Sequence, residues 1–250
     1  HFDTSKVTNM HWMFFCCSSL TSLDVSNFDT SNVTEMLGMF EGCRALTSLD
    51  VSNFNTANVT QMAAMFQSCS KLTTIDLSNF NTANVTSLQS LFEACSNLIS
   101  IDLSNFDTSK VTGMTWMFSG CTALKYLDIS SFDLTNVTSK DIFNFGTDNK
   151  IETFKTPFNN KNELKITTGS TLYNIETGEN VSVVPAGTSR SLTYTSTKPS
   201  SFVQSQRTFG GEYDVAVGEL EMVNNNSFEA VLLDSKKRYI LKEKKSISEE

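Results

Sequence analysis

Histidine is almost missing from this 250-residue chain: His1 and His11 are the only two, and both lie at its start. The six cysteines form no C-x-x-C pair. Without either ligand spacing nothing supports a zinc site, and no cofactor is expected. Long apolar runs are lacking too. No eighteen consecutive apolar residues occur, so no membrane insertion by a spanning helix is expected. Positive charge is in short supply, with 19 Lys and Arg against 27 Asp and Glu and a net charge of -8. A surface for nucleic acid or anionic lipid needs clustered bases to neutralise phosphate, so neither partner is expected. What remains, 39% hydrophobic and 18% charged residues, is ordinary for a folded globular chain.

What is abundant is repetition. Phe2, Phe28, Phe54, Phe80, Phe106 and Phe132 stand 26 residues apart, as do Val7, Val33, Val59, Val85, Val111 and Val137. A second phenylalanine file (Phe14, Phe40, Phe66, Phe92, Phe118) and a cysteine file (Cys17, Cys43, Cys69, Cys95, Cys121) keep the same step. Self-similarity at a fixed period of this length is the signature of a repeat architecture. Within residues 20–45, Leu20, Leu23 and Val25 read as a short strand, and "SNFDTSN" reads as a turn whose Phe28 points inward. Val33, Met36, Met39, Phe40 and Cys43 follow steps of 3 and 4, which predicts a short helix with one buried face and Thr34 as its N-cap. Each copy then offers about nine apolar side chains that only its neighbours can bury, at about 1.5–3 kcal/mol each.

The string L-x-x-L-D-[VLI]-S-N-F-[DN]-T-x-x-V-T-x-M-x-x-M-F-x-x-C resembles the BspA-like leucine-rich-repeat surface proteins of bacteria and some mucosal protists, over residues 2–143. The resemblance implies an α/β solenoid, a right-handed leucine-rich-repeat coil with a parallel sheet and short helices. It also implies extracellular display at a cell surface and adhesion to a host or neighbouring-cell surface protein or glycan, without catalysis. The chain begins at His1, inside a copy and without Met, and reads as a fragment, with signal and anchor expected outside it.

The last copy decays: Lys140 replaces the methionine and Asn144 stands in the second phenylalanine file. The expected domains are therefore a solenoid over 1–145, a β-rich C-terminal cap over 146–196, and a linker with a small β-meander over 197–250. The linker is read in "TSTKPSSFVQSQRTFGG". The meander is read from alternation at Tyr213/Val215/Val217, Phe228/Ala230/Leu232 and Tyr239/Leu241, around turns at "NNN" and "DSKK". The closing "KEKKSISEE" reads as solvated charge.

Candidate functional residues fall where the copies stay polar or change. Asp24, Asp50, Asp76, Asp102 and Asp128 form an outward file. Two readings stand: a file that recruits cations or the Lys and Arg side chains of a partner, or a set of acceptors for Ser, Thr and backbone N–H groups of neighbouring turns that helps each coil close. Beside it, Thr21, Thr47, Thr73, Ile99 and Lys125 form one variable file, and Ser22, Ser48, Thr74, Ser100 and Tyr126 the next. The expected ligand-binding set is Ile99, Lys125 and Tyr126 with Asp76, Asp102 and Asp128. On the predicted helical side, His11, Trp12, Phe15 and Trp116 interrupt a run of small residues, Gly38, Ala64 and Ser90; the readings are a binding anchor or a cover for the end of the stack. The file cysteines read as buried free thiols. The threonine files Thr30/Thr56/Thr82/Thr108 and Thr8/Thr34/Thr60/Thr86/Thr112 raise an alternative, a regular face binding ice, mineral or calcium, although turn and cap roles account for both. An enzyme would need a convergent nucleophile or acid/base set, and apart from the uniform Asp file the sequence offers none.

Overall fold

The computed structural model describes residues 2–188, 191–199, 217–224, 227–234 and 237–241. They contain twelve strands and no helix. Two compact units divide the chain, His1–Phe202 and Val203–Glu250.

In the first unit, β1 (Ser100–Asp102), β2 (Tyr126–Asp128), β4 (Thr153–Lys155), β9 (Thr193–Thr195), β6 (Leu172–Asn174) and β7 (Asn180–Val181) lie side by side in that order as one sheet. The β1–β2–β4 pairs are parallel, and the β4–β9, β9–β6 and β6–β7 pairs are antiparallel. A second sheet joins β3 (Phe143–Gly146), β5 (Leu164–Thr168) and β8 (Val183–Val184), parallel then antiparallel. The second unit holds an antiparallel meander of β10 (Val217–Asn224), β11 (Ser227–Asp234) and β12 (Lys237–Leu241). Tyr213, Val215, the "KEKKSISEE" tail and most of the expected linker lie outside the described residues, as do the centres of the "NNN" and "DSKK" turns.

The expected α/β solenoid of parallel sheet and short helices is therefore corrected: the fold is β-rich, with three sheets of which two mix parallel and antiparallel pairs and the third is antiparallel throughout. The helix fails for a reason visible in the backbone. Two positions in each copy, exemplified by Gly38 (φ 58°) and Gly42 (φ 76°), take the left-handed conformation, which an α-helix cannot contain. The same positions are left-handed even without glycine, as at Ala64 (φ 56°), Ser68 (φ 60°), Ser90 (φ 55°) and Ala94 (φ 58°). Alternate N–H groups then leave their own copy. Those of Met36, Gly38, Phe40 and Gly42 donate to the carbonyls of Gln61, Ala63, Met65 and Gln67 in the next copy, at 2.9, 2.9, 2.9 and 2.8 Å. Only the intervening ones turn back locally, Met39 to Met36, Glu41 to Gly38 and Cys43 to Phe40, at 3.3, 3.0 and 3.1 Å. Thr34 caps nothing: its N–H and hydroxyl both donate to the Thr8 carbonyl, at 2.8 and 3.2 Å.

Successive copies thus lie in register against one another, joined by single parallel bridges Asn9–Glu35, Glu35–Gln61, Gln61–Ser87 and Ser87–Gly113. From the second copy on, Val, Met or Leu, Phe and Cys are buried between copies; in the first, Val7 and Phe14 are half-buried and Cys17, expected inside with its file, is exposed because no copy precedes it among the described residues. The inner phenylalanines stack nearly parallel, Phe40 on Phe66 at 5.9 Å and 7° and Phe66 on Phe92 at 5.8 Å and 5°. After Phe118 the column continues through Phe145 rather than the residue in step, Asn144. The thiols of Cys43, Cys69, Cys95 and Cys121 are buried and donate to Phe14, Phe40, Phe66 and Phe92 carbonyls one copy back, at 3.3, 3.3, 3.1 and 3.1 Å. Cys16 and Cys17 are free and exposed.

Candidate functional site

Most repeated polar side chains have work inside the stack. Each Thr of the Thr30 file is buried, and its hydroxyl both donates and accepts: Thr82 Oγ1 donates to the Asp107 carbonyl at 3.0 Å and accepts the Asp107 N–H at 2.8 Å. A side chain here takes the place of one rung of a β-ladder, which removes this file from any exposed lattice. Asn53, Asn79 and Asn105 send Nδ2 to three carbonyls of the preceding copy, as Asn79 does to Val51, Ser52 and Phe54 at 3.1, 3.1 and 2.8 Å. Asn32, Asn58, Asn84 and Asn136 of the N-V-T triplets each donate to one carbonyl of the preceding copy. The [DN] slot is explained equally simply. Asp29, Asn55, Asn81, Asp107 and Asp133 all use Oδ1 to accept the N–H two residues on, which carboxylate and amide do alike.

The outward Asp file makes the same local turn. Asp24, Asp50, Asp76 and Asp102 each accept the backbone N–H two residues ahead, at 3.0, 2.9, 2.9 and 2.9 Å. The hydroxyl and N–H of Ser26 and Ser52 hold Asp24 and Asp50 below the usual carboxylate range, and the N–H and hydroxyl of Ser78 do so for Asp76. The donors belong to the same turn, not to neighbouring ones. One carboxylate oxygen of each remains toward solvent. Among the described residues no three His, Cys, Asp or Glu side chains converge as a metal would require.

At the far end of the file the copies differ, and most of the expected binding residues come together. Ile99 and Tyr126 stay 47% and 42% exposed, unusual for large apolar side chains on a packed sheet. Lys125 donates its N–H to the Ile99 carbonyl at 3.1 Å. Tyr126 lies opposite Ser100, and Asp128 opposite Asp102, in the parallel β1–β2 register. Asp76 stands one copy before Asp102, outside the strands and two copies from Tyr126.

Two of the expected residues are already partnered by groups absent from that set. Lys125 Nζ pairs with Glu152 Oε1 at 2.9 Å, both well exposed. Asp128 Oδ2 pairs with Lys155 Nζ at 2.9 Å, and its Oδ1 accepts the Ser130 hydroxyl and N–H at 2.6 and 3.0 Å. Burial opposes charge on Asp128, but the Ser130 hydroxyl and Lys155 hold it below its usual range; the hydrogen bond to Asp128 pushes Lys155 up. Lys155 therefore ends the negative file. The signal for it lies in "IETFK": Ile151 and Phe154 keep the I-x-x-F spacing, one residue late, with Lys155 in the Asp slot. Across β4 and β9 the row from Tyr126 continues through Thr153 and Thr195 to Tyr173. The exposed part of the site is thus Ile99, the ring of Tyr126, whose hydroxyl donates to Asp128 Oδ2 at 3.4 Å, and one oxygen of Asp102, on a face edged by two ion pairs.

A family model described as a Mycoplasma protein of unknown function, DUF285, matches residues 1–98 and again 69–174. No curated protein and no solved structure matches the chain.

Proposed function

We propose a binding role for this chain, which belongs to the family of Mycoplasma proteins of unknown function, DUF285: a non-catalytic module displayed at a cell surface, an adhesin that recognises a protein or glycan of a host or neighbouring cell. One observation carries the reading. The repeated Thr and Asn side chains are consumed in bonds between copies and the repeated Asp side chains in their own turns, whereas the positions that change, Thr21 to Lys125 and Ser22 to Tyr126, stand on the outside. A surface that varies on a frame that cannot is what selective binding needs. The likeness of the repeat motif to BspA-like surface proteins supports the compartment and the adhesive role. Exposed Tyr126 beside Ile99 supplies the amphipathic anchor found at binding hot spots, and the ion pairs of Lys125 and Asp128 supply a polar rim.

The test is capture of the folded chain on immobilised host matrix proteins, cell-surface proteins and glycans. Binding to one of them, lowered about tenfold or more by Asp102→Ala combined with Tyr126→Ala, supports the reading and its site. A correctly folded chain that binds none of them overturns it.

A further inference from the structure

Away from the Tyr126 face, one file of the turn region carries two tryptophans. Trp12, Gly38, Ala64, Ser90 and Trp116 occupy the same slot of successive copies, all left-handed at φ 57°, 58°, 56°, 55° and 61°. Their side chains therefore leave the backbone in one direction. The Trp12 indole lies across Gly38, so closely that a Cβ on Gly38 would strike its Cδ1 and Nε1, and its N–H donates to Glu41. The next segments of the same trough are open. A groove of about 380 Å³ there is lined by Ala64, Gln67, Gln89, Ser90, Glu93 and Trp116, within the roughly 300–1,000 Å³ range of small-molecule sites.

The lining offers free polar groups to a ligand. Ser90 is only 5% exposed, and its hydroxyl opens into the groove with no side-chain or backbone partner among the described residues. The Gln89 amide has none either, and Gln67 Nε2 donates to Glu93 Oε2 at 2.9 Å. At the end of the groove Trp116 is 45% exposed. Trp12 on Glu41 shows what fits: a flat ring lying on a small residue, with a donor at its edge facing the side chain three residues on. Over Ala64 and Ser90 those rim side chains are Gln67 and Glu93.

We propose that this groove binds a neutral hexose unit of an oligosaccharide, stacked on Trp116. A pyranose has one face of C–H bonds, which suits an indole, and an edge of hydroxyls that both donate and accept. Those hydroxyls satisfy Ser90 Oγ, Gln89 and the Glu93 carboxylate. An aromatic peptide side chain satisfies Trp116 but leaves the Ser90 and Gln89 groups unmatched. Glu93 and Glu41, close enough to repel one another, exclude an acidic sugar. The site rests on the reading of the chain as a binding module but not on the Tyr126 face.

The chain has only two tryptophans, so its emission reports on this trough. Titration of the folded chain with lactose, cellobiose, maltose, mannobiose and diacetylchitobiose is expected to give a saturable change with at least one. Trp116→Ala should weaken that binding about tenfold or more, followed by calorimetry because the reporter is lost, and Ser90→Ala should weaken it about fivefold. Both variants place in the slot what Ala64 already is at φ 56°, so an unchanged melting temperature is expected for both. Asp102→Ala with Tyr126→Ala should leave saccharide binding as it was. The proposal is overturned by no response to any of the five sugars, by undiminished binding in Trp116→Ala, by sialyllactose binding more tightly than lactose, or by binding of N-acetyltyrosinamide in their place. Loss of saccharide binding in the Tyr126 variant alone would also overturn it, while leaving the adhesive reading intact.

Discussion

The interior copies and the strands that follow them bury the same kind of residue and stop in opposite ways. From Phe14 to Phe118 the rings lie face to face at 5.6–6.0 Å, within 15° of parallel. Around Phe154 they turn edge-on, to Phe143 at 4.9 Å and 62°, to Phe145 at 5.8 Å and 77°, and to Tyr194 at 6.2 Å and 62°. A parallel stack always presents one more face for the next ring. An edge-on ring presents none, and β9 adds an antiparallel strand where another parallel one would continue the series. The bonds between neighbours change as well: in the interior, hydroxyl and amide side chains add to the backbone N–H groups that cross from copy to copy, whereas strand pairing dominates around β4, β9 and β6. Two side chains keep something of the interior pattern: Asn149 Nδ2 donates to the Cys121, Thr122 and Leu124 carbonyls as Asn79 does to its three, and Thr156 Oγ1 accepts the Leu192 N–H while the Thr156 N–H, not its hydroxyl, donates to the Leu192 carbonyl.

The largest expected effect concerns where the interior begins. Burial pushes the Cys43 thiol up to about 11 and that of Cys121 to about 12, and raises those of Cys69 and Cys95 as well, while Cys16 and Cys17 are exposed. An aromatic disulfide reagent at pH 8 should titrate two thiols at once and the other four at least about a thousandfold more slowly, through unfolding. Six fast thiols would show that the interior is not closed. Next comes Phe92→Ala, which empties a slot between two stacked rings and should cost about 3–5 kcal/mol in chemical denaturation. The same change at half-buried Phe14 should cost clearly less. If the two are equal, position in the stack does not matter. Thr82→Val strands the Asp107 N–H and carbonyl and should cost about 1–3 kcal/mol, whereas Thr193→Val in β9, whose hydroxyl bridges no copies, should change stability by less than about 0.5 kcal/mol.

Acid should act mainly on the local turns. The folded carboxyls of Asp24, Asp29, Asp50, Asp76 and Asp107 sit below their ordinary range, so their contribution is complete above the unfolded value of about 4 and disappears as pH falls through the lower folded values. The melting temperature should be level from pH 7 to pH 5 and decline below about pH 4; a decline that starts at pH 6 contradicts this assignment. A small effect is also expected of Lys155→Ala. Its pair with Asp128 is substantially exposed, so a loss of no more than about 1 kcal/mol is expected.

The inward files were readable because apolar periodicity depends on what is buried, not on the path of the backbone between buried points. Val33, Met36, Met39, Phe40 and Cys43 are all buried as their spacing implies. The same steps of 3 and 4 fit a helix or a chain of tight turns, and the residues that choose, Gly38 and Gly42, are replaced in other copies by Ala and Ser, which carry no left-handed preference of their own. The candidate site was readable in part. Ile99, Lys125 and Tyr126 stand out by breaking a file, but Lys155 and Glu152 were hidden by the single-residue slip before "IETFK".

By itself, then, the sequence determined the 26-residue step, the faces that must be buried and the positions free to vary, since each follows from composition at fixed spacing. Only the tertiary structure decided that alternate N–H groups cross to the next copy, that the Thr30 file lies inside as a hydrogen-bonding rung, and that a lysine ends the row of aspartates. Those outcomes depend on which partner each polar group finds once the copies are side by side, and a partner 25 residues or more away leaves no mark on local pattern.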